Sequence, residues 1–81
     1  PRPTIDLIMR KSQGTVWQGP ITSFTSLNKL GRFDILPKHT HFVSLIQDFI
    51  IIRTNQTEKK WQISQGIIRV LDEVIEVFLD S

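Results

Sequence analysis

Hydrophobic and polar residues alternate along most of this chain with a period of two. Ile5, Leu7 and Met9 are interleaved with Thr4 and Asp6, the pattern of a strand with one buried face. Ser12-Gln13-Gly14 reads as a turn, and Thr15-Val16-Trp17 resumes the strand until Gly19-Pro20 breaks it. From Ile21 to Leu27 the alternation returns, with Phe24 in the opposite phase to Ile21 and Thr25, which predicts cover on both faces. Asn28-Lys29-Leu30-Gly31 is a loop, and Arg32 to Ile35 a short strand that ends at Pro37. Phe42 to Ile46 and Phe49 to Arg53 flank Gln47-Asp48, and Asn55-Gln56-Thr57 is a further turn. Trp61 and Ile63 point to one side of a strand ending at Gln65-Gly66, and Ile67 to Leu71 and Val74 to Leu79 flank Asp72-Glu73. Turns recurring at short intervals predict an all-β domain, a sandwich or barrel of short, mostly antiparallel strands.

Two stretches carry a competing signal. Ile67, Ile68, Leu71, Val74, Ile75, Phe78 and Leu79 recur at i, i+3, i+4, i+7, the stripe of an amphipathic helix, and Phe42, Leu45, Ile46, Phe49 and Ile50 repeat it. Composition decides against helices. The chain has twelve isoleucines, five valines and seven threonines but no alanine. β-Branched side chains lose rotamer freedom on a helix and pack well on a pleated sheet. Gly66 is also a poor neighbour for the start of a long helix.

Size and charge narrow the function. At 81 residues there is room for one domain with a thin core, and no cysteine is present to staple it. Packing, strand pairing or a partner must supply the stability, which favours a domain that lives in an assembly. No apolar run approaches the roughly 20 residues needed to span a bilayer, and no signal-peptide core follows the opening Pro-Arg-Pro-Thr. Ten Lys/Arg against eight Asp/Glu leave a net charge of +2, too little for a typical nucleic-acid binder. The charge is polarised, however: residues 1–38 carry six basic and two acidic side chains, whereas residues 70–81 carry only acids.

Candidate chemistry is sparse. There is no glycine-rich phosphate loop or Gly-Lys-Ser/Thr, so no nucleotide motif. His39 and His41 would share one side of a strand, but a zinc site needs three or four ligands and no further His or Cys exists. Asp72-Glu73 lies between two apolar runs, the setting of a solvated turn rather than an acid/base pair. No catalytic site, metal or cofactor is expected. Trp17, Trp61 and Lys59-Lys60 allow an alternative, a small β-barrel that stacks single-stranded nucleic acid on aromatic rings. The same tryptophans alternate with neighbours as half-buried strand anchors do.

A resemblance begins at Gly31. Gly31-Arg32-Phe33-Asp34-Ile35-Leu36-Pro37-Lys38-His39-Thr40-His41-Phe42-Val43-Ser44-Leu45 resembles the signature Gly-Glu-Phe-Gly-Ile-Leu-Pro-Gly-His-Ala-Pro-Leu-Leu-Thr-x-Leu of the ε subunits of F-type ATP synthases, called δ in mitochondria. Gly14-Thr15-Val16-Trp17-Gln18-Gly19 is similar to that family's first turn and strand, and Gln62 to Val70 to its Ala-Val-Ser-Gly-Gly-Phe-Leu-Glu-Val segment. Gly31, Phe33, Ile35, Leu36, Pro37 and His39 carry the match. The likeness runs from about Ile5 to Asp80 and places residues 1–81 in a single β-sandwich domain of eight to ten short strands, with no counterpart of the family's C-terminal helical hairpin. A scaffold domain that merely shares the Ile-Leu-Pro-x-His run is a second alternative.

The resemblance implies a non-catalytic central-stalk part that links the γ subunit to the membrane c-ring of a proton- or sodium-driven synthase. It would sit peripherally on the cytoplasmic face of a bacterial inner membrane, or on an organelle inner membrane. By position, Asn28, Lys29, Leu30, Gly31 and Arg32 would face the ring, and His39, Thr40 and Phe42 the γ subunit. His39 would bridge loop and strand. Several positions depart from the family. Asp34 and Lys38 replace glycines, which predicts a different backbone conformation in those turns; Gln47-Asp48 replaces Pro-Gly and His41 replaces a proline. Asn28, Lys29 and Arg32 stand where the family carries acidic residues, so the sign of the ring-facing loop is reversed.

Overall fold

The structure, a computed structural model, describes residues 2–38 and 41–80. It is all-β among those residues, with β1 (Ile5–Lys11), β2 (Gly14–Ile21), β3 (Ser23–Asn28), β4 (Gly31–Ile35), β5 (Phe42–Arg53), β6 (Glu58–Leu71) and β7 (Val74–Leu79). The seven strands form one hydrogen-bonded sheet in the order β2-β1-β7-β6-β5-β3-β4. Every ladder is antiparallel except β1–β7, which is parallel, with Leu7 opposite Ile75 and Met9 opposite Val77.

The chain's connectivity forces this sheet to curl. Ile21 ends β2 at one edge, yet Ser23, two residues on, begins β3 next to the opposite edge. A flat sheet cannot satisfy both, so its two ends fold over one another. Thr22 fixes the corner: its N–H and its Oγ1 both donate to the Arg53 carbonyl, at 2.7 and 3.1 Å. The extents of 33 × 27 × 21 Å agree, because two stacked layers about 10 Å apart account for the smallest dimension. Between the layers lies one apolar cluster that draws on every strand, including Leu7, Ile21, Phe24, Ile35, Ile50, Ile68 and Val77.

Local sequence explains most of these elements. Ile5, Leu7 and Met9 are buried, as the alternation predicts. β3 is covered on both faces, with Phe24, Thr25 and Ser26 all inaccessible. The pair Gly19-Pro20 does not break β2, contrary to the sequence-based expectation. Proline lacks the N–H a ladder needs, but β2 is an edge strand, and Pro20 pairs there with Asp6.

Runs separated in the sequence reading merge into long strands. β5 carries through Gln47-Asp48 and β6 through Gln65-Gly66. The β5–β6 register slips between Gln47 and Asp48, and the β3–β5 register slips at the same level, between Ser26 and Leu27. Asp48 has φ +73°, the left-handed conformation found at bulges, and Ser26 Oγ donates to the Phe49 carbonyl at 2.7 Å. Lys38 likewise takes φ +68°. At these two of the three positions where a glycine of the resembled family is replaced, the backbone takes a conformation glycine favours. Asp34 sits in regular β4 opposite Thr25, whose Oγ1 donates to its carboxylate at 2.5 Å.

Candidate docking surfaces

The hairpin between β3 and β4 builds the first surface. Asn28 pairs with Gly31, leaving Lys29 and Leu30 at the tip. Asn28 Oδ1 accepts a hydrogen bond from the Leu30 N–H at 2.9 Å, a local turn that asparagine is suited to make. Gly31 takes φ +121°, a conformation that penalises any residue with a Cβ. The result is a tight tip from which Leu30 projects with 97% of its surface exposed. Apolar side chains are rarely presented so fully.

Beside the tip, cations gather around one aromatic ring. The Arg32 guanidinium carbon lies 5.8 Å from the Phe49 ring centroid, and Lys60 Nζ lies 5.7 Å from it. These distances fall within cation–π range. Asp48, Phe49, Lys60, Gln62, Ile63 and Ser64 line a shallow open hollow of about 570 Å³ next to this cluster.

A second surface lies on the outer face of β5, β6 and β7. Leu45 is directly opposite Ile67, and Ile67 is directly opposite Phe78. This gives an apolar row across three strands, with Val43 beside it. Exposures are 65% for Leu45, 46% for Ile67, 44% for Phe78 and 69% for Val43. The neighbouring row is polar, where Arg69 faces Glu76 across the β6–β7 ladder and forms an ion pair with it. An open groove of about 390 Å³ is lined by Leu45, Ile67 and Phe78 of the apolar row together with Asn28, Lys29, Gln65 and Asp80. Gly66 keeps the strands close beside it: a Cβ there would lie 2.9 Å from the Phe78 carbonyl oxygen and 3.0 Å from Cδ2 of the buried Leu79.

The residues singled out from sequence thus separate. Asn28, Lys29, Leu30, Gly31 and Arg32 come together at one tip. Phe42 packs against Phe33 with ring centroids 5.5 Å apart, at the rim of the core. His39 and Thr40 lie outside the described residues. Ile35 is buried and Leu36 is exposed just before Pro37. His41 stands 3.6 Å from Asp72 with both side chains well exposed, and Asp72-Glu73 forms an exposed two-residue hairpin turn. Among the described residues, no group of three or more His, Cys, Asp and Glu side chains gathers as metal ligands would. Trp17 and Trp61 both pack against the core. In the sheet order β1 and β7 stand between their strands, so they form no shared stacking row.

The outward row of Val43, Leu45, Ile67 and Phe78 was not anticipated from sequence, although the signal was present. The two helix-like stripes contain adjacent apolar pairs, Leu45-Ile46 and Ile67-Ile68 among them. On a strand, the two members of such a pair point to opposite faces. One member is buried and the other is exposed.

A curled two-layer sandwich with an exposed hairpin tip and an apolar outer row that meets it along one groove defines a small β domain with surfaces shaped for contact. Comparison with known proteins gives the family. Residues 4–81 match the family model described as ATP synthase, Delta/Epsilon chain, beta-sandwich domain, and the chain belongs to that family. Its fold is similar to a chain of the Euglena gracilis mitochondrial ATP synthase, solved by cryo-EM as OSCP/F1/c-ring in rotational state 1. The TM-score is 0.87 at 19% identity, over 98% of this chain and 52% of that one. It is also similar to a chain in the central stalk/c-ring structure of the Tetrahymena thermophila mitochondrial ATP synthase. There the TM-score is 0.81 at 10% identity, over 99% of this chain and 66% of that one. The chain therefore spans between half and two thirds of these relatives. No curated protein sequence matches it.

Proposed function

We propose that this domain is the non-catalytic sandwich of a central-stalk subunit in an F-type ATP synthase, joining the γ subunit to the membrane c-ring. Ion flow through the ring would turn domain and stalk together, while ATP is made or hydrolysed on other subunits. Family membership supports this role, as does the likeness of fold to chains in assemblies described as containing a c-ring and a central stalk. The observation that carries it is the pair of exposed apolar features, the Leu30 tip and the Leu45–Ile67–Phe78 row, with a groove between them that Asn28 and Lys29 help to line.

The tip, from Asn28 to Arg32, is assigned to the ring. A fully exposed leucine on a short rigid hairpin can enter a recess between neighbouring subunits, where a buried apolar anchor dominates binding. The outer row is assigned to the γ subunit, and so by sequence position are His39, Thr40 and Phe42, of which Phe42 lies at the rim of the core. Broad apolar rows flanked by polar residues are typical of stable interfaces. Membrane contact would be indirect, through the complex on a bacterial or organelle inner membrane.

The role is tested by tagging the chain, solubilising the source organism's membranes in mild detergent and identifying co-purified proteins. Recovery of γ, catalytic and c subunits is expected. Recovery of none of them, from membranes shown to contain intact synthase, would refute the role.

A further inference from the structure

We infer that the hairpin tip and the Phe49 cluster form one electropositive docking face, and that its occupant is an acidic loop of the adjoining ring subunit. The inference rests on the rotor role proposed above and specifies the chemistry of its ring contact.

Arg32 and Lys60 come from strands that do not neighbour one another, β4 and β6, yet both cations are brought to within about 6 Å of one phenyl ring. Lys29 adds a third positive charge at the hairpin tip. Placing like charges together is unfavourable unless something anionic compensates. Among the described residues no ion pair does. The ion pairs among the described residues are His41–Asp72, Arg53–Glu58 and Arg69–Glu76, and none involves Lys29, Arg32 or Lys60. Asp34, two residues after Arg32, instead accepts the Thr25 hydroxyl. Asp48 is the single carboxylate lining the hollow beside Lys60, and it forms no ion pair with that lysine.

Phe49 holds the two cations in place through its ring face while leaving their N–H donors free for an external acceptor. A guanidinium can receive a carboxylate through two parallel hydrogen bonds. Leu30 supplies an apolar anchor at the same tip. An apolar knob with a basic collar fits a recess rimmed by Asp or Glu better than a flat lipid headgroup layer, which offers no recess for Leu30.

The test uses the full tagged chain in the co-purification above, with Arg32→Glu plus Lys60→Glu and, separately, Arg32→Gln plus Lys60→Gln. Circular dichroism melts verify folding, and the Gln pair serves if the Glu pair does not fold. The charge-reversed protein is expected to retain γ and catalytic subunits but to lose c subunit by roughly tenfold or more. Raising salt should weaken ring retention by the wild-type chain in the same direction. Unchanged c-subunit recovery with a folded variant would overturn the inference and leave the rotor role standing. Absence of every synthase subunit from the wild-type pull-down would instead overturn the rotor role, and this site with it. Binding of the wild-type chain, but not the variants, to vesicles of anionic phospholipid, with ring retention unaltered, would assign the face to lipid and also overturn the inference.

Discussion

The turn between β6 and β7 makes a sharp prediction about stability. Asp72 and Glu73 connect Leu71 to its partner Val74 and have φ values of +50° and +62°. Two consecutive positive φ values define a two-residue hairpin of type I′, which strongly prefers Asn-Gly or Asp-Gly. Aspartate tolerates the left-handed region through local hydrogen bonding, whereas glutamate has no such help. The left-handed backbone costs a non-glycine residue about 1–2 kcal/mol. Replacing Glu73 by glycine removes that strain but restores about 0.5–1 kcal/mol of unfolded-state entropy. Because the Glu73 side chain is exposed and makes no ion pair with any described residue, no contact is lost. Glu73→Gly should therefore stabilise the domain by about 0.5–1 kcal/mol, raising Tm by roughly 2–8 °C at this chain length. Thermal unfolding followed by circular dichroism measures it, with Glu73→Gln as the control for charge. A Glu73→Gly Tm at or below that of the wild type, with Glu73→Gln unchanged, would refute the strain assignment.

Other substitutions test the core and the surfaces. Gly66→Ala forces a Cβ to within 2.9 Å of the Phe78 carbonyl oxygen, and should cost about 1–3 kcal/mol, read as a lower urea midpoint. Phe24→Ala empties a fully buried ring position; a loss of about 3–5 kcal/mol in so small a domain should leave it largely unfolded by near-ultraviolet circular dichroism. Leu30→Ser removes an exposed side chain and should leave Tm within about 2–4 °C while lowering c-subunit recovery in the pull-down, since surface changes are near-neutral to stability. Leu45→Ser plus Phe78→Ser should likewise spare the fold but reduce γ recovery, and equal recovery would remove the outer row from that interface.

Much of the architecture is written in local sequence. The period of two at Ile5, Leu7 and Met9, the loop at Asn28-Lys29-Leu30-Gly31 and the Asp72-Glu73 turn all appear in the structure where simple patterns put them. Errors arose where tertiary placement decides. Pro20 breaks an internal strand but not an edge one, and only the sheet order reveals that β2 is an edge. Gln47-Asp48 resembles a break between two strands because a bulge and a turn use the same left-handed conformation. The helix-like stripes were ambiguous because a strand with apolar residues on both faces repeats at three and four residues as well as at two. The hairpin tip was legible as a loop, but the meeting of Arg32 and Lys60 over Phe49 was not, since 28 positions of sequence separate the two cations and no local pattern joins them.

The parallel pairing of β1 with β7 also governs when the domain can acquire its structure. Within the domain β1 leaves the ribosome before the other strands, and β7, which lies between β1 and β6 in the sheet, leaves after them. The β1–β2 hairpin thus has no neighbour on its inner side until Leu79 has emerged, and half of the eventual interior waits with it. Contacts so distant in sequence make for slow closure, and the nascent chain meanwhile displays unpaired strand edges of the kind that aggregate. The domain should consequently close only after β7 has emerged, as one late event in which its first and last strands find each other in the middle of the sheet.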